Sequence, residues 1–173
     1  MPGRARSTAK QKFFIPLVIL VLWFGGRAWY FAPNASAGEP AATFTVTLAN
    51  GNPFSLEGLR GKTVLLDFWG SWCGPCRAEV PQLQQLYRER GDELAIVSIA
   101  IERDSSRWLN ALARDGRSWP YQIMDETSSL KFLNGELADL YGINSVPSNV
   151  VVNGAGEVVA VNIDLNDLST YLP

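Results

Sequence analysis

Histidine is absent from the 173 residues, and cysteine occurs only twice. Without imidazole the chain lacks the usual neutral-pH base, the Cys₂His₂ zinc set and most copper and haem ligand sets. Two cysteines can neither build a disulfide-dense framework nor close a zinc site alone. Charge is scarce too. Charged residues make up 18% of the chain against 47% apolar, which excludes a disordered or fibrous protein and supplies a full core. The sequence has no internal repeat, and its one low-complexity stretch is a short linker. No cofactor and no metal are expected from this inventory.

Negative charge is missing from the first 32 residues, which hold Arg4, Arg6, Lys10, Lys12 and Arg27. The remainder carries ten Lys/Arg against all 17 Asp/Glu, a net −7, so nucleic acid is not expected as a partner. After a basic stretch, 1–12, comes the apolar run Phe13 to Phe24, and the chain resumes after Gly25, Gly26 and Arg27 with Ala28 to Ala32. As a helix, residues 13–32 span about 30 Å, the thickness of a bilayer core. Pro16 falls in the first turn, Arg27 can snorkel, and Trp29, Tyr30 and Phe31 suit an interface. The expectation is a single transmembrane anchor in the lipid bilayer, N-terminus cytoplasmic and catalytic domain extracytoplasmic. A cleavable signal peptide ending at Ala35-Ser36-Ala37 is the competing reading. Both imply export. Residues 33–42 read as a linker and 43–173 as one domain.

Within that domain strands alternate with helices. Thr43 to Leu48, a short strand near Phe54, Thr63 to Trp69, Leu94 to Ile101 and Tyr121 to Met124 read as strands. One helix is predicted from beside Cys73 to about Arg90, kinked at Pro81. Others are predicted over 105–114, over 136–141 ending at Gly142, and over 166–172. Strands over 149–153 and 157–163 read as a hairpin around Gly154-Ala155-Gly156. This order predicts an α/β domain with a mixed sheet flanked by helices and an N-terminal β-hairpin.

The chemistry centres on Trp72-Cys73-Gly74-Pro75-Cys76, where a buried strand meets a helix. Cys-x-x-Cys on a first helical turn can close a small disulfide ring. The positive end of the helix is expected to lower the Cys73 pKa from ~8.5 toward ~7. Cys73 is then the nucleophile that forms a mixed disulfide, and Cys76 resolves it from below. Pro75 stiffens the first turn, where its missing N–H does no harm. Half a zinc site lacks further ligands, and a two-residue loop constrains too little chain entropy for a purely structural bond.

The stretch Asp67-Phe-Trp-Gly-Ser-Trp-Cys-Gly-Pro-Cys76 resembles the active-site segment of thioredoxin. Together with Leu59-Arg-Gly-Lys62, Arg77, Glu79, Pro81 and Tyr141-Gly-Ile-Asn-Ser-Val-Pro147, it is similar to the membrane-anchored TlpA/ResA-type thioredoxin-like proteins. The resemblance spans about residues 43–163. It implies a thioredoxin-like fold and a cis Pro147 facing the cysteines, with the Val146 backbone free to pair with an extended substrate. Trp72, Gly74 and Pro75 join these two as substrate-facing positions. Thioredoxin implies that Asp67 relays a proton for Cys76; a strand Asp paired with a nearby Lys or Arg is the other reading. Glu79 matches an acidic position thought to tune thiol acidity or substrate reading; a solvated helix charge is its alternative.

Trp69 and Trp72 are expected to flank the sulfurs, and Trp108 and Trp119 to sit in the core. The 74 positions from Cys73 to Pro147 imply an inserted strand-helix unit near 102–134. Its Glu102, Arg103, Asp104, Arg107 and Trp108 are candidates for a substrate groove. Gly74-Pro75 and Asp67 are thioredoxin-like rather than typical of the exported group, and Ser148-Asn149 stands where two threonines are common. The reading is a membrane-tethered thiol–disulfide oxidoreductase. Its expected partners are disulfide-containing exported proteins, apocytochrome c among the candidates, and a membrane electron donor. A peroxidase is the second reading, although Gly70 stands where peroxiredoxins carry threonine, and a non-catalytic assembly module is the third.

Overall fold

The computed structural model describes residues 15–16, 18–25 and 35–173. The chain divides into two units, Met1–Ala32 and Pro33–Pro173. In the first, residues 15–16 and 18–25 are helical. Among the described residues no helix is long and apolar enough to cross a membrane. Of the expected span 13–32, residues 13, 14, 17 and 26–32 lie outside the described residues, as does the basic stretch 1–12.

In the second unit β1 (Thr45–Thr47) and β2 (Pro53–Ser55) form the expected antiparallel hairpin, followed by a 3-10 turn at Leu56–Leu59. The main sheet has the order β5-β4-β3-β6-β7, with β3 (Thr63–Trp69), β4 (Leu94–Glu102), β5 (Tyr121–Glu126), β6 (Ser148–Val152) and β7 (Val158–Val161). The first three run parallel, and β6 and β7 are antiparallel additions. Every residue of β3 and β4 is buried, as expected for central strands covered on both faces. The stretch expected to be an insert, 102–134, contains α3 (Ser105–Asp115) and β5. The end of the chain is a 3-10 segment, Leu165–Tyr171, rather than an α-helix.

The single kinked helix expected after Cys73 is two: α1 (Gly74–Ala78) and α2 (Val80–Arg90). The break falls at Glu79, not at Pro81, which occupies the first turn of α2. A proline ring clashes with the carbonyl four residues back and has no N–H to give, whereas in a first turn neither property matters. Ending α1 before the proline and restarting removes the conflict.

The expected linker is also not wholly free. Gly38 N–H donates to the Val158 carbonyl at 2.8 Å, Ala41 N–H to Gly156 at 2.9 Å, and Val158 N–H to Glu39 at 2.9 Å. These bonds lay residues 38–41 along the β7 hairpin, with Ala35 and Ala41 in the core.

The period-2 alternation of the strands divides the interior. On one face Val64, Leu66 and Phe68 join Val97, Ile99, Val150, the hairpin residues Phe44 and Phe54, and Leu137, Ala138 and Tyr141 of α4 (Glu136–Tyr141). On the other, Leu65, Ile96 and Val151 pack with Leu83 of α2, while Trp69 and Ala100 pack with both cysteines and with Trp108 and Ala111 of α3. Both cysteines therefore lie on the face covered by α1, α2 and α3.

Candidate active site

Cys73 is held at the tip of β3 by bonds to the neighbouring strand end. Trp72 Nε1 donates to the Ile101 carbonyl at 3.0 Å, Ser71 N–H donates to the buried Glu102 carboxylate, and Cys73 N–H donates to Gly70 at 3.0 Å. Gly70 is required by close approach, since a Cβ there would lie 2.5 Å from Trp72 Nε1. The threonine that peroxiredoxins place at this position does not fit with Trp72 where it is.

Cys73 is the N-cap of α1, and its Sγ accepts from the Cys76 N–H at 3.2 Å. Because α1 has only five residues, this first-turn donor, more than a long helix dipole, is what a Cys73 thiolate would meet. The two cysteines are joined in a disulfide, with Cys73 5% exposed and Cys76 fully buried. Gly74 and Pro75 are exposed beside them, and Trp72, 44% exposed, forms an apolar rim. Trp69 is fully buried among the cysteines, so it packs the site from below rather than flanking it. The Val146–Pro147 peptide is cis, and Val146 packs against the cysteine cluster. The cis peptide thus reaches the cysteine cluster through Val146, from far away in sequence.

Beneath the disulfide a polar row crosses the sheet. In register, Asn149 of β6 faces Asp67 of β3, Asp67 faces Ser98 of β4, and Ser98 faces Gln122 of β5. Ser98 Oγ donates to Asp67 Oδ2 at 2.7 Å and accepts from Trp119 Nε1 at 2.9 Å. Gln122 Nε2 donates to the Arg117 and Trp119 carbonyls at 3.3 and 3.1 Å. Asp67 is buried as expected, and it is paired: Arg117 Nη1 reaches its Oδ2 at 2.7 Å, with side-chain exposures of 0% and 6%. The pairing with a basic residue that the sequence left open is what the structure contains. Glu79 sits half-buried at the α1–α2 break. Burial first, then the Asp67 and Asp164 charges, push its carboxyl above its ordinary value, while Arg117 opposes the shift.

Ser71, Trp72, Glu102, Arg103, Asp104, Arg107 and Leu130 surround an open groove of about 310 Å³ next to the disulfide. Four of the five groove candidates are there. Trp108 is not; it is buried under the cysteines with Trp69. Asp104 is already committed as the N-cap of α3, accepting from Ser106 and Arg107 N–H. Among the described residues no group of three or more cysteine, aspartate or glutamate side chains is placed to hold a metal ion.

Arg117 and Ser98 escaped the sequence reading. A signal existed: Asp67 and Ser98 each interrupt an otherwise apolar strand at its fifth position. Two polar breaks at matching depth in parallel neighbours point to a shared buried partner. Nothing local to Arg117 announces that it is that partner.

The Redoxin family matches residues 36–171. Thiol-disulfide oxidoreductase ResA of Halalkalibacterium halodurans is 30% identical over 161 residues, covering 88% of this chain and 87% of that protein. Thioredoxin-like protein YneN of Bacillus subtilis is 26% identical over 155 residues, covering 84% and 86%. The solved thioredoxin domain of a thiol-disulfide oxidoreductase from Bacteroides vulgatus superposes with a TM-score of 0.70 at 26% identity, covering 81% of this chain and all of that one. A thiol-disulfide oxidoreductase from Bacteroides fragilis gives 0.66 at 28%, covering 76% and 96%. With the Cys-x-x-Cys pair seated at the tip of β3 in a thioredoxin-like fold, this chain belongs to the Redoxin family and is a thiol–disulfide oxidoreductase of ResA type.

Proposed function

We propose that this oxidoreductase works outside the cytoplasm, tethered by residues 13–32, and reduces disulfides in exported proteins, apocytochrome c among them. The basic stretch followed by an apolar run supports the tether and its orientation. The thioredoxin-like Gly74-Pro75 pair supports a reducing poise, on the order of −270 mV. The observation that carries the reading is the placement of the nearly buried Cys73 above the fully buried Cys76, with Val146 of the cis peptide packed against the cluster that holds them.

In the forward reaction the Cys73 thiolate attacks one sulfur of a substrate disulfide. That S–S bond breaks, a Cys73–substrate disulfide forms, and the released substrate thiolate takes a proton from water. Cys76 then gives up its proton, for which Asp67 and Glu79 are the candidate acceptors, and attacks the Cys73 sulfur. The internal disulfide forms, and the second substrate thiol leaves with a proton. The substrate has gained two electrons and two protons, and a membrane donor returns the electrons to Cys73–Cys76. Glu79 suits the proton step because burial raises its affinity for a proton. Asp67 is held by Arg117 beneath the Cys76 backbone. The Trp72 rim, Gly74, Pro75 and the Val146–Pro147 segment are the proposed contact surface for the substrate chain.

The test is Cys76→Ser expressed in native membranes. Exported proteins are expected as mixed disulfides on Cys73, released by dithiothreitol. Adducts confined to cytoplasmic proteins would overturn the location. A potential near −120 mV, that of a strong oxidant, would overturn the direction.

A further inference from the structure

Arg117 lies two residues beyond α3, outside every motif, yet its guanidinium is wholly enclosed beneath the disulfide. Gly116 caps α3 in the left-handed region, φ 69°, and turns the chain so that residue 117 re-enters the interior. Nη1 donates to Asp67 Oδ2 at 2.7 Å and Ser98 Oγ at 3.2 Å, and Nη2 donates to the Cys76 carbonyl at 3.3 Å. The guanidinium carbon stands 3.8 Å over the Trp69 ring, and Trp69 packs with both cysteines. Nε is buried without an acceptor among the described residues.

Stability alone is a weak reason for this arrangement. Desolvating two charges consumes most of what their attraction returns, and apolar residues of similar volume would pack as well. The pair does have a consequence for the sulfurs. An isolated carboxylate below Cys76 would repel a thiolate at either cysteine, whereas a carboxylate matched by a guanidinium presents little net charge. The groups facing Arg117 are Asp67 and Trp69 from β3, Ser98 from β4, Trp119 from the segment before β5, and the Cys76 carbonyl from α1. Glu79 at the α1–α2 break feels both charges of the pair, and Asp164 acts on Glu79 in turn.

We propose that Arg117 is a positioning residue of the dithiol centre: it masks the Asp67 charge and anchors the Cys76 backbone, and so sets how readily the two thiols ionise. The inference rests on the dithiol chemistry proposed above. Arg117 touches no substrate; it acts through Asp67 and the Cys76 carbonyl.

The test uses the full chain, reduced and in detergent, and follows the rate of Cys73 alkylation by iodoacetamide against pH. Arg117→Met unmasks Asp67, so the profile moves to higher pH and alkylation at pH 7 slows about tenfold. Arg117→Lys keeps the charge but loses the fork, and stays within about threefold of the wild type. Asp67→Asn leaves the guanidinium unmatched and moves the profile to lower pH. Asp67→Asn/Arg117→Met returns it close to the wild-type position. If Arg117→Met does not fold, as judged by circular dichroism, Asp67→Asn against the double variant isolates the same charge. The double variant is expected to be about tenfold slower at the pH where Asp67→Asn is half-ionised. Coincident profiles for that pair, or for wild type and Arg117→Met when both fold, overturn the proposal. Insulin-disulfide reduction keeps the two readings apart. A wild type that shows the Arg117-dependent profile yet fails to reduce insulin sinks the reductase reading alone, while insulin reduction with coincident profiles sinks the Arg117 assignment alone.

Discussion

The two faces of β3 share one backbone and carry opposite chemistry. Val64, Leu66 and Phe68 point into a core where Tyr141 is a polar exception, its hydroxyl donating to the Ala42 carbonyl at 2.6 Å. Leu65, Asp67 and Trp69 point the other way, onto a face with a four-residue polar row, a buried ion pair and the cysteines. Burying a Val, Leu or Phe side chain contributes about 1.5–3 kcal/mol each. Enclosing an ion pair contributes little on balance. The apolar face is therefore the source of stability, and it lets the other face hold groups whose value is chemical. Each member of the polar row is hydrogen-bonded, which is the condition for tolerating it.

If that division is right, the deepest truncations on either face separate in kind. Phe68→Ala opens a cavity beside Tyr141 and is expected to lose about 3–5 kcal/mol by urea denaturation. Its Cys73 alkylation profile stays at the wild-type pH. A profile that moves with Phe68 would show the faces to be coupled. Arg117→Met is expected to lose a similar amount, about 3–5 kcal/mol, because it strands the Asp67 charge. Here removing the partner as well recovers most of the loss. A double variant no more stable than Arg117→Met would mean that packing, not charge, dominates the site.

A smaller effect is expected at the rim of the apolar face. Asp125 accepts from Leu137 and Ala138 N–H at 3.1 and 2.8 Å, so a β5 carboxylate caps α4. Gly135 leaves the room, since a Cβ there would collide with that carboxylate. Asp125→Ala is expected to lose about 1–2 kcal/mol, with insulin reduction unchanged. Reduced activity in that variant at full folding would extend the working site across the sheet.

The smallest effect concerns pH. Glu79 binds its proton more tightly in the fold than at its ordinary 4.5, so the folded state is favoured by protonation. Its contribution is fully present below 4.5 and is lost as pH rises through the raised value. Wild type is therefore expected to lose stability relative to Glu79→Gln between pH 4.5 and neutrality. Asp125 is also raised, chiefly by burial, and tilts both proteins alike, so the difference between the two melting curves reports Glu79. A flat difference would make Glu79 a solvated helix charge.

Legibility follows the distance over which each feature is decided. The redox pair, its N-terminal cap and the buried strand ahead of it lie within one contiguous stretch, Thr63 to Cys76, so spacing alone discloses them. Pro147 was reached only through a family resemblance, since no local rule makes that peptide cis. After Cys73, a kink at Pro81 and a break at Glu79 satisfy the same proline, and local sequence does not choose between them. Gly, Pro and Ala spell a linker, and only the assembled sheet offers residues 38–41 a strand edge to bond to.

By itself the sequence determined the strand–turn–helix carrying Cys73 and Cys76, the polar break at Asp67 and the central strands, because each is written in contiguous residue types. Tertiary structure alone decided what Asp67 meets. Its partner is 50 residues away, delivered by the β3–β4 register that sets Asp67 against Ser98 and by the left-handed turn at Gly116. Pairing across strands depends on register and loop geometry, which no local pattern encodes, and so the cation at the heart of the site became visible only once the sheet was assembled.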